Sequence, residues 1–488
     1  MTSVDEQFGK WLVDPLAAVL FFDLNRHQWM GAGTPPIPFV VFWLFIGALF
    51  FTFRMNFISL RAFWHAVRLT KGDYDNPHDT GEVSHFQAIA SALSGTLGLG
   101  NIAGVAIAIG QGGPGAVVWL VIAGFLGMSS KFAECTLGQM YRHVDNDGVV
   151  TGGPMRYLSQ GMAELGWQRT GTVLAAMFAV MCMGGAVGGG GAFQVGQSLD
   201  AIREQISFFD RYPWVYGLLI AALTGVVIIG GIRRIAATAE KIVPFMCGLY
   251  IVASLYIIAV NAEHILPACQ QILSGAWTPK AMYGGFLGVM VVGVRRAAFS
   301  NEAGIGSAAI AHSAAKTERP VSEGIVALLE PFIDTVVICS LTGLMIVVTG
   351  VCEDPDNAGL IAGNRGSQLT SLAFAKGANW LPWALSVIVF LFAYATLITW
   401  SYYGERCWTY LFGRRTSIIY KLTFLAFAFL GSIVTSGKIL DFSDLMIFSM
   451  AIPNLIGVYL LSGKVRRALD AYWQSYKNGE IQPTHTHS

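Results

Sequence analysis

Two stretches of this chain place glycines and polar side chains where an apolar helix would otherwise run unbroken. They are Ser94-Gly95-Thr96-Leu97-Gly98-Leu99-Gly100-Asn101 and Ser300-Asn301-Glu302-Ala303-Gly304-Ile305-Gly306-Ser307. A glycine inside a helix costs about 1 kcal/mol relative to alanine, so runs this rich in glycine predict helix breaks. A broken helix leaves amide N–H groups free at the start of its second half and carbonyls free at the end of its first. The N–H groups, at the positive end of the helix dipole, suit a carboxylate, and the carbonyls suit sodium or an ammonium group. One break can therefore hold a zwitterion and a cation side by side.

Superimposing the two stretches pairs Ala92 with Ala298, Ser94 with Ser300, Gly98 with Gly304, Gly100 with Gly306 and Ala103 with Ala309. Close helix packing explains small residues but not Asn101, Ser300, Asn301 and Glu302 at mid-membrane depth. For Gly184-Gly185 and Gly188-Gly189-Gly190-Gly191, packing is the preferred reading. Gly98-x-Gly100-x-x-Ala103 also satisfies a dinucleotide fingerprint, but no strand precedes it and an apolar helix follows.

Other side chains in apolar runs need partners. Glu134, Glu302, Glu330, Asp334, Arg295 and Arg296 are ionisable groups at membrane depth. Glu330 and Asp334 lie four apart on one helix face, where like charges repel unless a cation intervenes or one is protonated. Arg295 or Arg296 is the expected cation, giving a structural or gating network of Arg296, Glu302, Glu330 and Asp334. Glu134 is expected at the interface with Lys131. The histidines form no evident constellation, the seven cysteines show no CxxC spacing, and neither a metal site nor a nucleophilic catalytic set can be named.

The elements that position these groups are membrane helices. Of the 488 residues, 54% are hydrophobic and only 12% charged, too little charge to cover a soluble surface. The formal net charge of +1 points to no nucleic acid or polyanionic partner, and no protein partner is predicted. The N-terminus lacks a basic region followed by an apolar core and a cleavage site, so no removable signal is expected. A ruler of about 20 apolar residues marks eleven spans. They are 37–53, 86–110, 114–135, 171–198, 213–232, 241–260, 283–312, 325–350, 382–403, 417–435 and 443–462.

The two breaks lie five spans apart, and five is odd, so the halves containing them run in opposite directions through the membrane. This predicts an inverted repeat, 86–260 and 283–462, preceded by a peripheral helix at 37–53. An external segment, 1–36, and a cytoplasmic tail, 463–488, flank the bundle. Residues 14–22 could form a short interfacial helix. Lys and Arg are more than twice as frequent in one set of alternate loops as in the other, which predicts an external N-terminus and a cytoplasmic C-terminus. Broken helices in matching positions of two halves are the sequence mark of a transporter's binding site. A channel would need a continuous polar stripe, and these spans lack one.

Longer motifs carry a family resemblance. Ser94 to Ala106 reads SGTLGLGNIAGVA, followed by Gly112-Gly113-Pro114-Gly115-Ala116, Lys131-Phe132-Ala133-Glu134 and Gly152-Gly153-Pro154-Met155. Further along come Phe299 to Ala308, Phe332-Ile333-Asp334-Thr335 and Ser401-Tyr402-Tyr403-Gly404-Glu405. The chain resembles the alanine or glycine:cation symporter family over nearly its whole length. It departs from the family pattern at Ala309, where proline is expected, and at Ala297, where glycine is expected.

The resemblance implies an all-α polytopic protein of leucine-transporter-like fold, with five-plus-five inverted repeats and two discontinuous helices. It implies sodium-coupled, occasionally proton-coupled, uptake of small neutral amino acids such as alanine or glycine. Sodium is then a co-transported ligand and no cofactor is required. It places the substrate carboxylate at Thr96, Gly98, Gly100 and Asn101, and the ammonium at carbonyls near Phe299, Ser300 and Asn301. Gln194 and Trp400 are expected to line the pocket. The sodium site is expected at carbonyls near Ser94 and Leu97 with the hydroxyls of Thr396 and Thr399, which share a helix face. Proton coupling through Glu302 or Glu330, and another neutral substrate such as glutamine or serine, are the alternatives.

Overall fold

A computed structural model describes residues 14–24, 37–76, 78–203, 205–277, 285–433 and 437–484. Each of the eleven predicted spans coincides largely with helix over its described residues. The first is α1 (Phe39–Arg54). The second is broken into α2 (His85–Thr96) and α3 (Val105–Gly112), joined by a π-helical turn, Gly100–Gly104. There follow α4 (Ala116–Met140), α5 (Gln168–Arg203, π-helical over Gly188–Ala192), α6 (Pro213–Ile228) and α7 (Gly231–Val260). The second half begins with α8 (Gly285–Asn301) and α9 (Ala308–His312), the two arms of the other break. It continues through α10 (Pro320–Thr349), α11 (Leu381–Phe412), α12 (Ser417–Leu430) and α13 (Gly437–Lys477). The described sheet is a two-stranded hairpin, His143–Val144 with Val150–Thr151.

Six of these helices are long and apolar enough to cross a membrane, seven counting the bent pair α2/α3 as one span. The others are shorter than expected. Helices α1 and α6 have 16 residues each, about 24 Å against a hydrocarbon core of about 30 Å. Helix α6 is bounded by Pro213 at its start and by the Gly230-Gly231 turn at its end, where Gly231 has φ +65°. The short interfacial helix expected at 14–22 is present as Asp14–Leu20. Most of the 1–36 segment lies outside the described residues, as do His485 and His487 of the tail.

The chain folds into an all-α bundle with a leucine-transporter-like inverted repeat. Helix α1 packs outside the repeats, against α4 and α13. Thr52 Oγ1 donates to the Leu126 carbonyl at 3.2 Å, Trp43 Nε1 to the Ala451 carbonyl at 3.4 Å, and Phe51 stacks on Tyr459 with ring centroids 5.2 Å apart. The glycine run of α5 acts as the packing reading expects. A side chain at Gly190 would run into the Trp400 ring, and one at Gly189 into Ile447, so glycine lets α5 close onto α11 and α13.

Beyond the bundle, α13 extends to Lys477 and docks on the short helix Phe63–Thr70. There His65 Nε2 lies 2.7 Å from the Tyr472 hydroxyl, and Arg61 stacks over the Trp473 ring at 5.1 Å. Burial, aided by Arg68, lowers the His65 pKa to about 4. Neutral His65 therefore contributes stability that is complete above its unfolded pKa of about 6.5 and is lost as pH falls toward 4. We expect the tail to loosen across this window, followed as a change in Trp473 fluorescence. A His65→Gln variant should lose that pH dependence.

Candidate functional site

A capping box starts the first broken helix: the Ser84 hydroxyl accepts from Gln87 N–H at 3.2 Å, and Gln87 Oε1 accepts from Ser84 N–H at 3.2 Å. The two arms of this span then meet at 55°. At the end of α2, Leu97 leaves helical geometry (φ −70°, ψ 81°). Its carbonyl lies 3.4 Å from Thr396 Oγ1, which donates at 2.9 Å to the Phe392 carbonyl one turn back on its own helix. Thr399 Oγ1 donates to the Ser91 carbonyl at 3.2 Å and shares a short hydrogen bond with the Ser94 hydroxyl, which itself reaches the Ser91 carbonyl at 3.0 Å. The structure thus gathers Ser94, Leu97, Thr396 and Thr399 into one cluster of neutral oxygens. At Ser94 it is the hydroxyl that faces the cluster. Ser91, one turn earlier on the same face, joins it and was not anticipated, although its three-residue spacing from Ser94 is the signal.

Side chains hold the backbone of this break. Asn101 Oδ1 accepts from Gly98 N–H at 3.1 Å, and Gln194 Oε1 lies 3.5 Å from Leu99 N. Trp400 Nε1 donates to the Gly95 carbonyl at 3.2 Å. Gln194 and Trp400, expected as pocket lining, therefore grip the unwound chain directly. Thr96 is buried beside them, with its hydroxyl 3.4 Å from the Ala92 and Leu93 carbonyls.

A Cβ added at Gly98 would stand 3.1 Å from Thr396 Oγ1 and 3.3 Å from Gln194 Nε2. Gly98→Ala should therefore fold but lower uptake several-fold by prising the break from α11. Proteoliposome uptake alongside a circular-dichroism melt checks this.

At the second break the chain turns through left-handed conformations at Glu302 (φ +54°), Gly304 (φ +91°) and Gly306 (φ +92°). A bulky residue at positive φ is uncommon, and a short hydrogen bond from the Ser307 hydroxyl to Glu302 Oε2 spans the turn. Asn301 bridges outward: its Nδ2 donates to Thr335 Oγ1 at 3.0 Å and its Oδ1 accepts from Ala303 N–H at 3.0 Å. The two breaks touch, since a Cβ on Gly100 would lie 3.3 Å from the Phe299 ring and 3.7 Å from Ser300 Cα.

Asp334, in a π-helical stretch of α10, joins both breaks. Its carboxylate accepts from Asn101 Nδ2 at 2.7 Å, Ser300 Oγ at 2.8 Å and Thr335 Oγ1 at 2.7 Å. The expected network of Arg296, Glu302, Glu330 and Asp334 does not assemble as one unit. Arg295 pairs with Asp444 at 3.3 Å, and the Arg296 side chain lies along Gly104. The cation beside Glu330 is Lys131, with Nζ 3.2 Å from Glu330 Oε1 and both side chains fully buried.

Lys131 and Glu134, expected together at an interface, are both fully buried inside the protein. Helix α4 runs on to Met140, which carries them more than a turn inside its end. Glu134 accepts from Asn454 Nδ2 at 2.8 Å. The chain of charges extends through histidines that showed no pattern in sequence. His312 Nε2 lies 3.5 Å from Glu330 Oε2, His312 Nδ1 lies 2.5 Å from Glu323 Oε1, and His85 Nδ1 makes a short contact with Glu323 Oε2. His85 and Glu323 are 238 residues apart, so no local spacing could reveal the pair.

Two matched helix breaks that meet in the middle of a bundle, one beside a cage of neutral oxygens, define a secondary transporter of the leucine-transporter-like class. The fold matches the solved structure of MhsT in complex with L-phenylalanine, with a TM-score of 0.52 and 15% identity over 81% of this chain and 99% of that one. The chain belongs to the sodium:alanine symporter family, whose model matches residues 28–487. It is 37% identical to the sodium/alanine symporter AgcS of Methanococcus maripaludis, over 90% of this chain and 95% of that protein. It is 32% identical to the amino-acid carrier protein AlsT of Bacillus subtilis, over 90% of each chain. It is also 32% identical to the probable sodium/glutamine symporter GlnT of Bacillus subtilis, over 88% of this chain and 87% of that one. The family is one of membrane transporters, not enzymes.

Proposed function

We propose that the protein imports a small neutral amino acid, alanine or glycine, by symport with sodium through alternating access. The observation that carries this reading is the first break, where the amides of Gly98 and Leu99 directly follow the Leu97 carbonyl of the oxygen cage that Ser91, Ser94, Thr396 and Thr399 complete. The side-chain oxygens of Asn101 and Gln194 bond the donors that a substrate carboxylate would take, and they yield to it on binding. Thr96, Gly98, Gly100 and Asn101 form the carboxylate side. Phe299, Ser300 and Asn301 form the ammonium side. Sodium takes the cage, whose hydroxyl and carbonyl oxygens are the hard ligands an alkali cation prefers.

Residues 86–260 and 283–462 act as the two repeats, with 37–53 peripheral to them. The excess of Lys and Arg on one side sets the C-terminus in the cytoplasm and the N-terminus outside, in the plasma (bacterial inner) membrane. Exposed apolar side chains such as Leu218, Val226, Phe245 and Val252 face lipid. The test is uptake of radiolabelled alanine into proteoliposomes under an inward sodium gradient or equimolar potassium. Accumulation with sodium alone supports the reading. Equal, protonophore-sensitive accumulation in both would replace sodium with protons. With glutamine run in parallel, preference for it over alanine would move the substrate.

A further inference from the structure

Where α2 begins, a cleft of about 490 Å³ opens on the surface of the bundle, and the symport reading makes no use of it. Its size falls within the range of small-molecule sites, about 300–1,000 Å³. One wall is the short helix Phe63–Thr70 with the turn that follows it, from Lys71 to Asp75. The other is built from Ser84 and Phe86 at the start of α2, Glu240 of α7 and Leu329 of α10. The apolar spans begin at residue 86 in α2 and at residue 241 in α7, so Ser84 and Glu240 stand at the entry to the hydrocarbon and the cleft lies at headgroup depth. Trp64, exposed on the short helix, marks the same level, because tryptophan collects at membrane interfaces.

The walls carry charges of both signs. Lys71 brings an ammonium, Asp75 and Glu240 bring carboxylates, and Thr70 and Ser84 add hydroxyls. The two carboxylates disfavour a bare anion and the lysine disfavours a bare cation, whereas a zwitterion suits all three. Glu240 accepts from Gln87 Nε2 at 2.8 Å, which uses one of about four lone-pair positions on its carboxylate. The apolar part of the lining, Val67, Phe86 and Leu329, matches the glycerol and acyl chains of a lipid rather than a water-soluble zwitterion. Among zwitterionic headgroups, ethanolamine fits better than choline. A primary ammonium donates three hydrogen bonds to carboxylates and hydroxyls, while a quaternary ammonium donates none and is recognised by cages of aromatic rings, of which this cleft offers Phe86 alone. We propose that the cleft binds phosphatidylethanolamine, with its phosphate on Lys71, its ammonium at Asp75 and Glu240, and its acyl chains along Phe86 and Leu329. Because Glu240 also holds Gln87 of the α2 capping box, a bound headgroup ties the start of the first broken helix to α7.

The experiment titrates delipidated full-length protein in detergent with phosphatidylethanolamine, phosphatidylcholine or phosphatidylglycerol and counts bound lipid by native mass spectrometry. The wild type should take up one phosphatidylethanolamine at a concentration about tenfold lower than either other lipid, a difference set by the charges and hydrogen bonds of the headgroup. Lys71→Gln and Asp75→Asn should each erase that preference with the detergent melting temperature unchanged. Soluble glycerophosphoethanolamine should compete only weakly, since it lacks the acyl chains. Should a variant fail to fold, the wild-type lipid series and this competitor still decide. Equal uptake of the three lipids, or preference for phosphatidylglycerol, would overturn the proposal. So would a soluble headgroup that competes as well as the lipid, or an ethanolamine preference that persists in both folded variants.

Discussion

Replacing Thr396 and Thr399 together with alanine should raise the sodium concentration for half-maximal uptake about tenfold or more while leaving the helices intact. Each hydroxyl supplies one oxygen to the cage, Thr396 at the Leu97 carbonyl and Thr399 at Ser94 and Ser91. A hydrogen bond or ligand of this kind contributes about 0.5–1.5 kcal/mol, and a tenfold change corresponds to about 1.4 kcal/mol, so losing both should be plainly visible. Alanine uptake at saturating sodium should recover most of its maximum, because the substrate's own contacts lie further along the break. An unchanged sodium dependence would remove α11 from the site. Serine at the same positions keeps the hydroxyls and should keep near-normal sodium dependence, separating ligation from packing.

The largest stability effect is expected at Lys131. Its ammonium is buried against Glu330, which faces His312 on its other side, and His312 in turn meets Glu323 and through it His85. Lys131→Met removes the ammonium and leaves Glu330 buried with His312 alone beside it; breaking a buried pair by removing one partner typically costs about 3–5 kcal/mol. Expression and the detergent melting temperature should fall sharply. Pairing it with Glu330→Gln removes both charges and should restore most of the loss. If the single and double variants melt alike, the ion pair is not what Lys131 contributes. The network ties α2, α4, α9 and α10 together at one end of the bundle, so the same variants should also alter how easily that end opens.

The breaks were legible in the sequence because glycines and small polar residues at mid-depth contradict every requirement of an apolar span. Their pairing across the chain fixed the inverted topology. The cage was legible in its main members because Thr396 and Thr399 are three apart on one face. The charge partners were not. Arg295 and Arg296 are close in sequence to the second break but are carried toward Asp444 and Gly104, because α8 stays helical up to Asn301 and its successive residues point in different directions. The partners of Lys131 were hidden because a charge near the predicted end of a span reads as interfacial, whereas helix α4 continues to Met140 and both Lys131 and Glu134 are buried inside the protein. His85 and His312 meet only through Glu323, and a contact made across the fold leaves no periodicity to read.

The central claim is that sodium and amino acid order the same break, and linkage makes that coupling reciprocal. The direct measurement is a pair of binding titrations on purified protein: alanine affinity across a range of sodium concentrations, and sodium affinity across a range of alanine. The account predicts that each ligand tightens the other by the same factor, and that Thr396→Ala with Thr399→Ala diminishes both effects together. Alanine binding that is equally tight in sodium and in potassium would contradict it.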